Sequence, residues 1–232
     1  MGASAQIAFS LSHPAVVGTV HSSASLQAAA RAGKRECDWL ELRVDNFFPQ
    51  TRPLLAAART LRLPRIVTVR HPSEGGAAAA LANPARIELY SAFLEIAGLV
   101  DVELRHARAM RPLLRNAKAA GAGVILSFHD FQRTPPLARL REMALRARDA
   151  GADIFKVATK TAAARDLALL LEFLADEKTA LPVAAMGMGQ FGKISRLALA
   201  KAGSCLNYGY LATPNADGQW PVAILKKRIA EL

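Results

Sequence analysis

Two cysteines in 232 residues, Cys37 and Cys205, form neither a disulfide framework nor a Cys-x-x-Cys metal or redox pair, and this favours a reducing compartment. Aromatic residues are scarce at 6%, and acidic residues are outnumbered 19 to 30 by lysine and arginine. The resulting +11 balance suits an anionic partner or substrate, but the basic residues are scattered as singles and pairs, so nucleic-acid binding is not expected. No apolar run approaches the roughly 20 residues that cross a bilayer, and the start lacks the basic-then-apolar order of a secretory signal. A soluble, cytoplasmic chain with no membrane partner is the expectation. Also missing is a Gly-x-Gly-x-x-Gly after the first apolar segment, residues 15–20, which argues against a dinucleotide site there. That spacing does occur later, at Gly187, Gly189 and Gly192, with no acidic residue about twenty positions on. These glycines read as a loop passing close to a ligand.

Short apolar segments alternate with longer stretches of helical spacing from residue 15 to the end. The segments fit for strands are 15–20, 39–44, 65–70, 99–104, 123–128, 153–158, 182–186 and 204–208. Between them, helices are predicted over 25–32, 53–61, 84–97, 106–120, 137–150, 162–176 and 193–201, with a last one over 221–231. Roughly eight strand–helix units without a linker predict an α/β fold, a single (β/α)8 TIM barrel over residues 15–232 behind a short leader, 1–14.

Residues 153–158, Asp-Ile-Phe-Lys-Val-Ala, are unusual because a run fit for a buried strand carries a lysine in its middle. Side chains alternate between strand faces, so Ile154, Lys156 and Ala158 share one side and Phe155 and Val157 take the other. Burial disfavours the ammonium form and makes a neutral, nucleophilic amine available. A lysine near a strand end can instead snorkel to solvent. In a barrel the active site lies at the C-terminal strand ends, and other polar residues gather at those ends. Glu41, Arg43 and Asp45 fall on one face of the second strand; Arg70 precedes Glu74; His129 follows the fifth strand; Met186 and Met188 close the seventh. Singly, Glu41 with Arg43 reads as a structural ion pair, His129 as a turn residue and the methionines as core filler. Together on one rim, they are hard to explain as packing.

The motifs Glu41-Leu42-Arg43-Val44-Asp45, Arg70 with Glu74-Gly75-Gly76, Ser127-Phe128-His129-Asp130-Phe131 with Thr134-Pro135, the lysine segment itself, Met186-Gly187-Met188 with Gly192 and Ile194-Ser195-Arg196-Leu197, and Gly218-Gln219 occur in order. They resemble the type I 3-dehydroquinate dehydratase family, the Schiff-base enzymes of the shikimate pathway. The resemblance implies that Lys156 forms an imine with the substrate ketone, that His129 is the general acid/base and that Glu74 orients and tunes it. It implies that Glu41, Arg43 and Arg70 bind substrate hydroxyls, Arg196 the carboxylate, and Gln219 closes over the ring from a lid loop, with Met186 and Met188 as the apolar wall.

The reaction implied is syn elimination of water from 3-dehydroquinate, a small anion, to 3-dehydroshikimate, with no metal or organic cofactor and in a homodimer. The chain departs from the family's pattern in the lid, where Asn215 stands in place of a serine and Asp217 in place of a common proline. An amide still hydrogen-bonds, but the two departures are expected to affect lid closure and substrate affinity. The leader is expected to be too short for a complete β-hairpin under the barrel. Two alternatives stay open on the residues: another class I Schiff-base aldolase or lyase, and a non-catalytic anion-binding barrel.

Overall fold

The computed structural model describes residues 14–76, 81–176 and 181–232. Nearly all of the expected leader, and the hairpin question with it, lies outside them. Eight strands, β1 (Ala15–Val20), β2 (Trp39–Arg43), β3 (Arg65–Thr68), β4 (Leu99–Glu103), β5 (Gly123–Asp130), β6 (Ile154–Lys160), β7 (Val183–Met188) and β8 (Leu206–Tyr210), run parallel in the order β7-β6-β5-β4-β3-β2-β1-β8. Each is followed by a helix: α1 (Ser23–Arg31), α2 (Thr51–Arg59), α3 (Asn83–Phe93), α4 (Arg111–Ala119), α5 (Leu137–Asp149), α6 (Ala164–Leu174), α7 (Gly192–Lys201) and α8 (Val222–Ala230). This is the (β/α)8 TIM barrel expected from the alternation.

Among the boundaries that differ from the predicted ones, three have identifiable reasons. α4 begins at Arg111, five residues late, because Pro112 has no N–H to give to an earlier turn and is tolerated only in the first one; a short 3-10 turn, Leu104–His106, precedes it. β5 and β6 each run two residues past their apolar stretch, with His129 paired to Ala158 and Asp130 to Thr159. Hydrophobicity stops at the first polar residue, whereas the ladder continues as long as buried polar groups find partners: the Thr159 hydroxyl meets that of Thr134 at 2.9 Å.

The two-residue period of the strands builds the barrel interior in layers. Inward-facing Val17, Ile66, Leu99, Ile125, Ile154 and Leu206 form an apolar plug at the base. Phe155, Val157, Val100 and Leu126 point outward into the larger core between strands and helices. One inward position further along, the interior turns polar, with Glu41, Thr68, Asp101, Ser127 and Lys156, all buried.

The seam between β7 and β8 closes differently from the others. Cys205 N–H donates to the Val183 carbonyl at 2.9 Å, and the Ser204 hydroxyl both accepts from Ala185 N–H at 3.0 Å and donates to the Ala185 carbonyl at 3.1 Å. A side chain thus stands in for ladder bonds. Ser204→Ala should leave a buried peptide group unpaired and lower stability by about 1–3 kcal/mol, read from denaturant unfolding; an unchanged midpoint would show that the seam closes without the hydroxyl.

Candidate active site

Lys156 does not snorkel. It is 4% exposed, and its Nζ donates to Asp101 Oδ2 at 2.8 Å and to Glu41 Oε1 at 3.3 Å, 3.9 Å from the centroid of the Tyr208 ring. Burial is the only influence visible in the linear pattern around this lysine. The fold adds two carboxylates that stabilise a positive charge at Nζ. Asp101 is the residue that sequence reasoning missed. It lies mid-strand in β4, sharing a face with Leu99 and Glu103, and an acid inside an apolar run is the same signal that singled out Lys156. Its carboxylate also pairs with Arg70 Nη2 at 2.8 Å and accepts from the Ser127 hydroxyl at 2.6 Å. Burial opposes its ionisation, but Arg70 and Lys156 outweigh burial and hold it well below the usual carboxylate range. Burial likewise opposes the charge on Arg70, and Asp101 and Glu103 overcome it.

Beside this charged layer sits a pair with the opposite tendency. His129 Nδ1 lies 2.9 Å from Glu74 Oε2, which also accepts the His129 backbone N–H at 3.0 Å. Burial, followed by Arg70 and Lys156, holds His129 well below its ordinary value, so the imidazole is neutral. Burial pushes Glu74 up to about 7, with Arg70 offsetting it only in part. When Glu74 is ionised, the bond fixes the ring hydrogen on Nδ1 and leaves the lone pair on Nε2.

Glu41 and Arg43 do not pair with each other. Glu41 turns to Lys156 and accepts from the Thr68 hydroxyl at 3.1 Å, while Arg43 forks onto Asp45 at 2.8 and 3.1 Å and donates to the Gly75 carbonyl at 3.0 Å. Arg196, in the middle of α7, is buried among carbonyls: Nε donates to Tyr208, and Nη1 to Gly187, Gly192 and Gly218. Burial lowers it to about 10. Its Nη2 has no protein partner among the described residues.

The three glycines read as a ligand loop do not line the cavity. A Cβ on Gly187 would lie 2.4 Å from the Thr161 hydroxyl, and one on Gly192 2.8 Å from Gly218 Cα, so their bareness lets β7, α7 and the loop after β8 close around Arg196. In that loop Gln219 Oε1 accepts the Asn215 backbone N–H at 2.9 Å.

All eleven residues singled out from sequence, Glu41, Arg43, Arg70, Glu74, His129, Lys156, Met186, Met188, Arg196, Asn215 and Gln219, line one cavity of about 670 Å³, counting its open mouth. Thr19 and Tyr208 join them, and their hydroxyls have no protein partner among the described residues. Both are inward positions on β1 and β8, legible only once the barrel is closed. A parallel barrel whose C-terminal mouth gathers a buried lysine, a histidine–carboxylate pair and arginines defines an enzyme site for acid/base work on a small anion.

The chain belongs to the type I 3-dehydroquinase family, whose family model matches residues 15–230. It is 35% identical over 189 residues to a 3-dehydroquinate dehydratase of Hydrogenobaculum sp., covering 80% of this chain and 84% of that protein. To that of Methanosarcina barkeri it is 35% identical over 231 residues, covering 94% of each. The crystal structure of 3-dehydroquinate dehydratase from Geobacillus kaustophilus HTA426 matches with a TM-score of 0.85 at 28% identity, covering 95% of this chain and 91% of that one.

The raised Glu74 carboxyl carries a pH signature. Between about 4.5 and about 7 the folded protein keeps a proton that the unfolded chain has released, so this group's contribution to stability falls as pH rises across that window. Glu74→Gln, which does not titrate, should gain stability relative to the parent on going from pH 4 to pH 8, by up to about 3 kcal/mol. Equal differences at both pH values, measured by urea unfolding, would show that Glu74 is not held in its neutral form.

Proposed function

We propose that this cavity dehydrates 3-dehydroquinate to 3-dehydroshikimate through an imine on Lys156, and the observation that carries the proposal is the buried Lys156 amine sharing one cavity with the His129–Glu74 pair. The deprotonated amine attacks the substrate ketone, water leaves, and the iminium withdraws electrons from the adjacent C–H bond. His129 takes that proton, the enamine expels the β-hydroxyl, and His129 returns the proton so that it departs as water. Hydrolysis of the conjugated iminium frees Lys156. The iminium is the electron sink, so the elimination draws on no metal or organic cofactor.

Within this reading Glu74 orients His129, while Glu41, Arg43 and Arg70 bind the ring hydroxyls. The free Nη2 of Arg196 suits the substrate carboxylate, to which it would give a charge-assisted hydrogen bond. Met186 and Met188 wall the ring, and Asn215 and Gln219 close over it. Asp101 is the counter-charge of the iminium. The aldolase alternative loses support, since the glycines after β7 close around Arg196 instead of opening a phosphate site. The reading also takes the working form to be a cytoplasmic homodimer that binds neither nucleic acid nor membrane, on the strength of the family alone; among the described residues no helix is long and apolar enough to cross a membrane.

Incubation with 3-dehydroquinate and borohydride should leave a ligand-sized mass on the peptide carrying Lys156, and Lys156→Ala should abolish both adduct and turnover while the fold survives. Turnover by that folded variant would remove the mechanism. His129→Ala should lower kcat by about 10²–10⁴-fold; an unchanged steady-state rate would mean that another group is the base.

A further inference from the structure

Val69, Arg70 and His71 lie past the end of β3, where no ladder strand takes up their backbone groups, yet they carry Arg70 and lead into the 3-10 turn Pro72–Glu74. Buried peptide groups in that position need other partners, and three charged side chains supply them. Asp45 Oδ1 accepts the Arg70 N–H at 3.1 Å, Glu103 Oε1 accepts the His71 N–H at 2.7 Å, and the Val69 carbonyl accepts from Arg86 Nη2 at 2.7 Å and Nε at 3.2 Å.

Arg86 is the unexpected member. It stands on α3, outside the barrel, does not line the cavity, and is 1% exposed. Packing a helix onto a sheet needs no guanidinium, and a charge so deeply buried is unfavourable unless fully paired. It is paired: Nη2 also reaches Glu103 Oε2 at 2.5 Å, and Nη1 faces Asn83 Oδ1 at 3.4 Å and His106 Nδ1 at 3.3 Å. Reaching a carbonyl and a carboxylate at once is a task for a planar fork, which a lysine cannot reproduce. Glu103 in turn meets Arg70 Nη1 at 3.4 Å. One buried pair, Arg86–Glu103, therefore holds the segment from Val69 to His71 from behind.

We propose that Arg86 is a positioning residue for the reaction, fixing through Val69 and Glu103 the turn that presents Arg70 and Glu74 to the cavity. The proposal rests on the roles given above to Lys156, His129 and Glu74. Glu74 is the last residue of the turn, so releasing the turn loosens the group that holds His129. Lys156 is held independently by Asp101 and Glu41, and the Arg70 head group keeps its contact with Asp101. The loss therefore falls on the proton-transfer step more than on substrate binding.

The test compares Arg86→Met, Arg86→Lys and the double variant Arg86→Met/Glu103→Gln with the parent chain. Arg86→Met should lower kcat by about ten- to a hundredfold while KM changes by less than about threefold, since small misplacements of catalytic groups cost on this scale. Arg86→Lys should recover part of that loss. The double variant, which carries no unpaired buried carboxylate at position 103, should regain the unfolding midpoint without regaining kcat, and it answers the question even where Arg86→Met fails to fold. A double variant that recovers kcat together with stability, or a folded Arg86→Met with the parent's kcat, overturns the proposal. Borohydride trapping run in parallel separates the two levels. No adduct on Lys156 in the parent chain overturns the imine reading and this proposal with it, whereas an adduct in the parent and unchanged kcat in Arg86→Met overturn the role of Arg86 alone.

Discussion

The Asp101 carboxylate holds the centre of the barrel together. It lies between the two cations of the buried layer, 2.8 Å from Lys156 on one side and 2.8 Å from Arg70 on the other, with the Ser127 hydroxyl satisfying its remaining oxygen. Without it two positive groups would face each other where water cannot screen them. With Glu41 added on the far side of Lys156, two carboxylates answer two cations, and each charge is hydrogen-bonded. Such a network is favourable only when every member is satisfied. It also suits the proposed chemistry, because an iminium at Nζ would keep its positive charge next to where the ammonium had it. A site arranged around the one is already arranged around the other, with little reorganisation during the reaction.

The apolar plug below this layer makes such a concentration of charge tolerable. Val17, Ile66, Leu99, Ile125, Ile154 and Leu206 close the base of the barrel, so the polar layer opens toward the mouth only. The His129–Glu74 pair sits in the same low-dielectric surroundings but responds differently. With Arg70 and Lys156 adding to burial, the histidine is pushed toward its neutral form, and burial pushes the glutamate the same way. A neutral imidazole and a carboxyl poised near 7 suit the proposed role of a group that takes and returns a proton.

Arg196 links this interior to the loop that covers it. Three of its carbonyl partners, on Gly187, Gly192 and Gly218, come from β7, α7 and the loop after β8, so one guanidinium ties the cover to the wall while leaving Nη2 for a ligand. The bond from position 215 to Gln219 uses a backbone amide. That contact is indifferent to which side chain stands at position 215, and the Asn215 side chain is left to the cavity.

The sequence by itself determined the architecture and the identity of the chemical groups. Alternating apolar and helical segments gave the eight units, and the period of two was enough to place Lys156 and Ile154 on one face and Phe155 and Val157 on the other, as the two cores show. Residues near the strand ends, from Glu41 to His129, were legible because polar groups there break an apolar run or belong to recognisable motifs. What only the tertiary structure decided is pairing. Asp101 partners Lys156 across 55 residues of chain, Glu41 across 115, and Arg86 reaches Glu103 from a helix whose spacing puts it on one face with Tyr90 and Phe93 but does not name its partner. Charge compensation depends on distance in space and on the exclusion of water, and the partner of a buried charge is not encoded within any window short enough to be read along the chain.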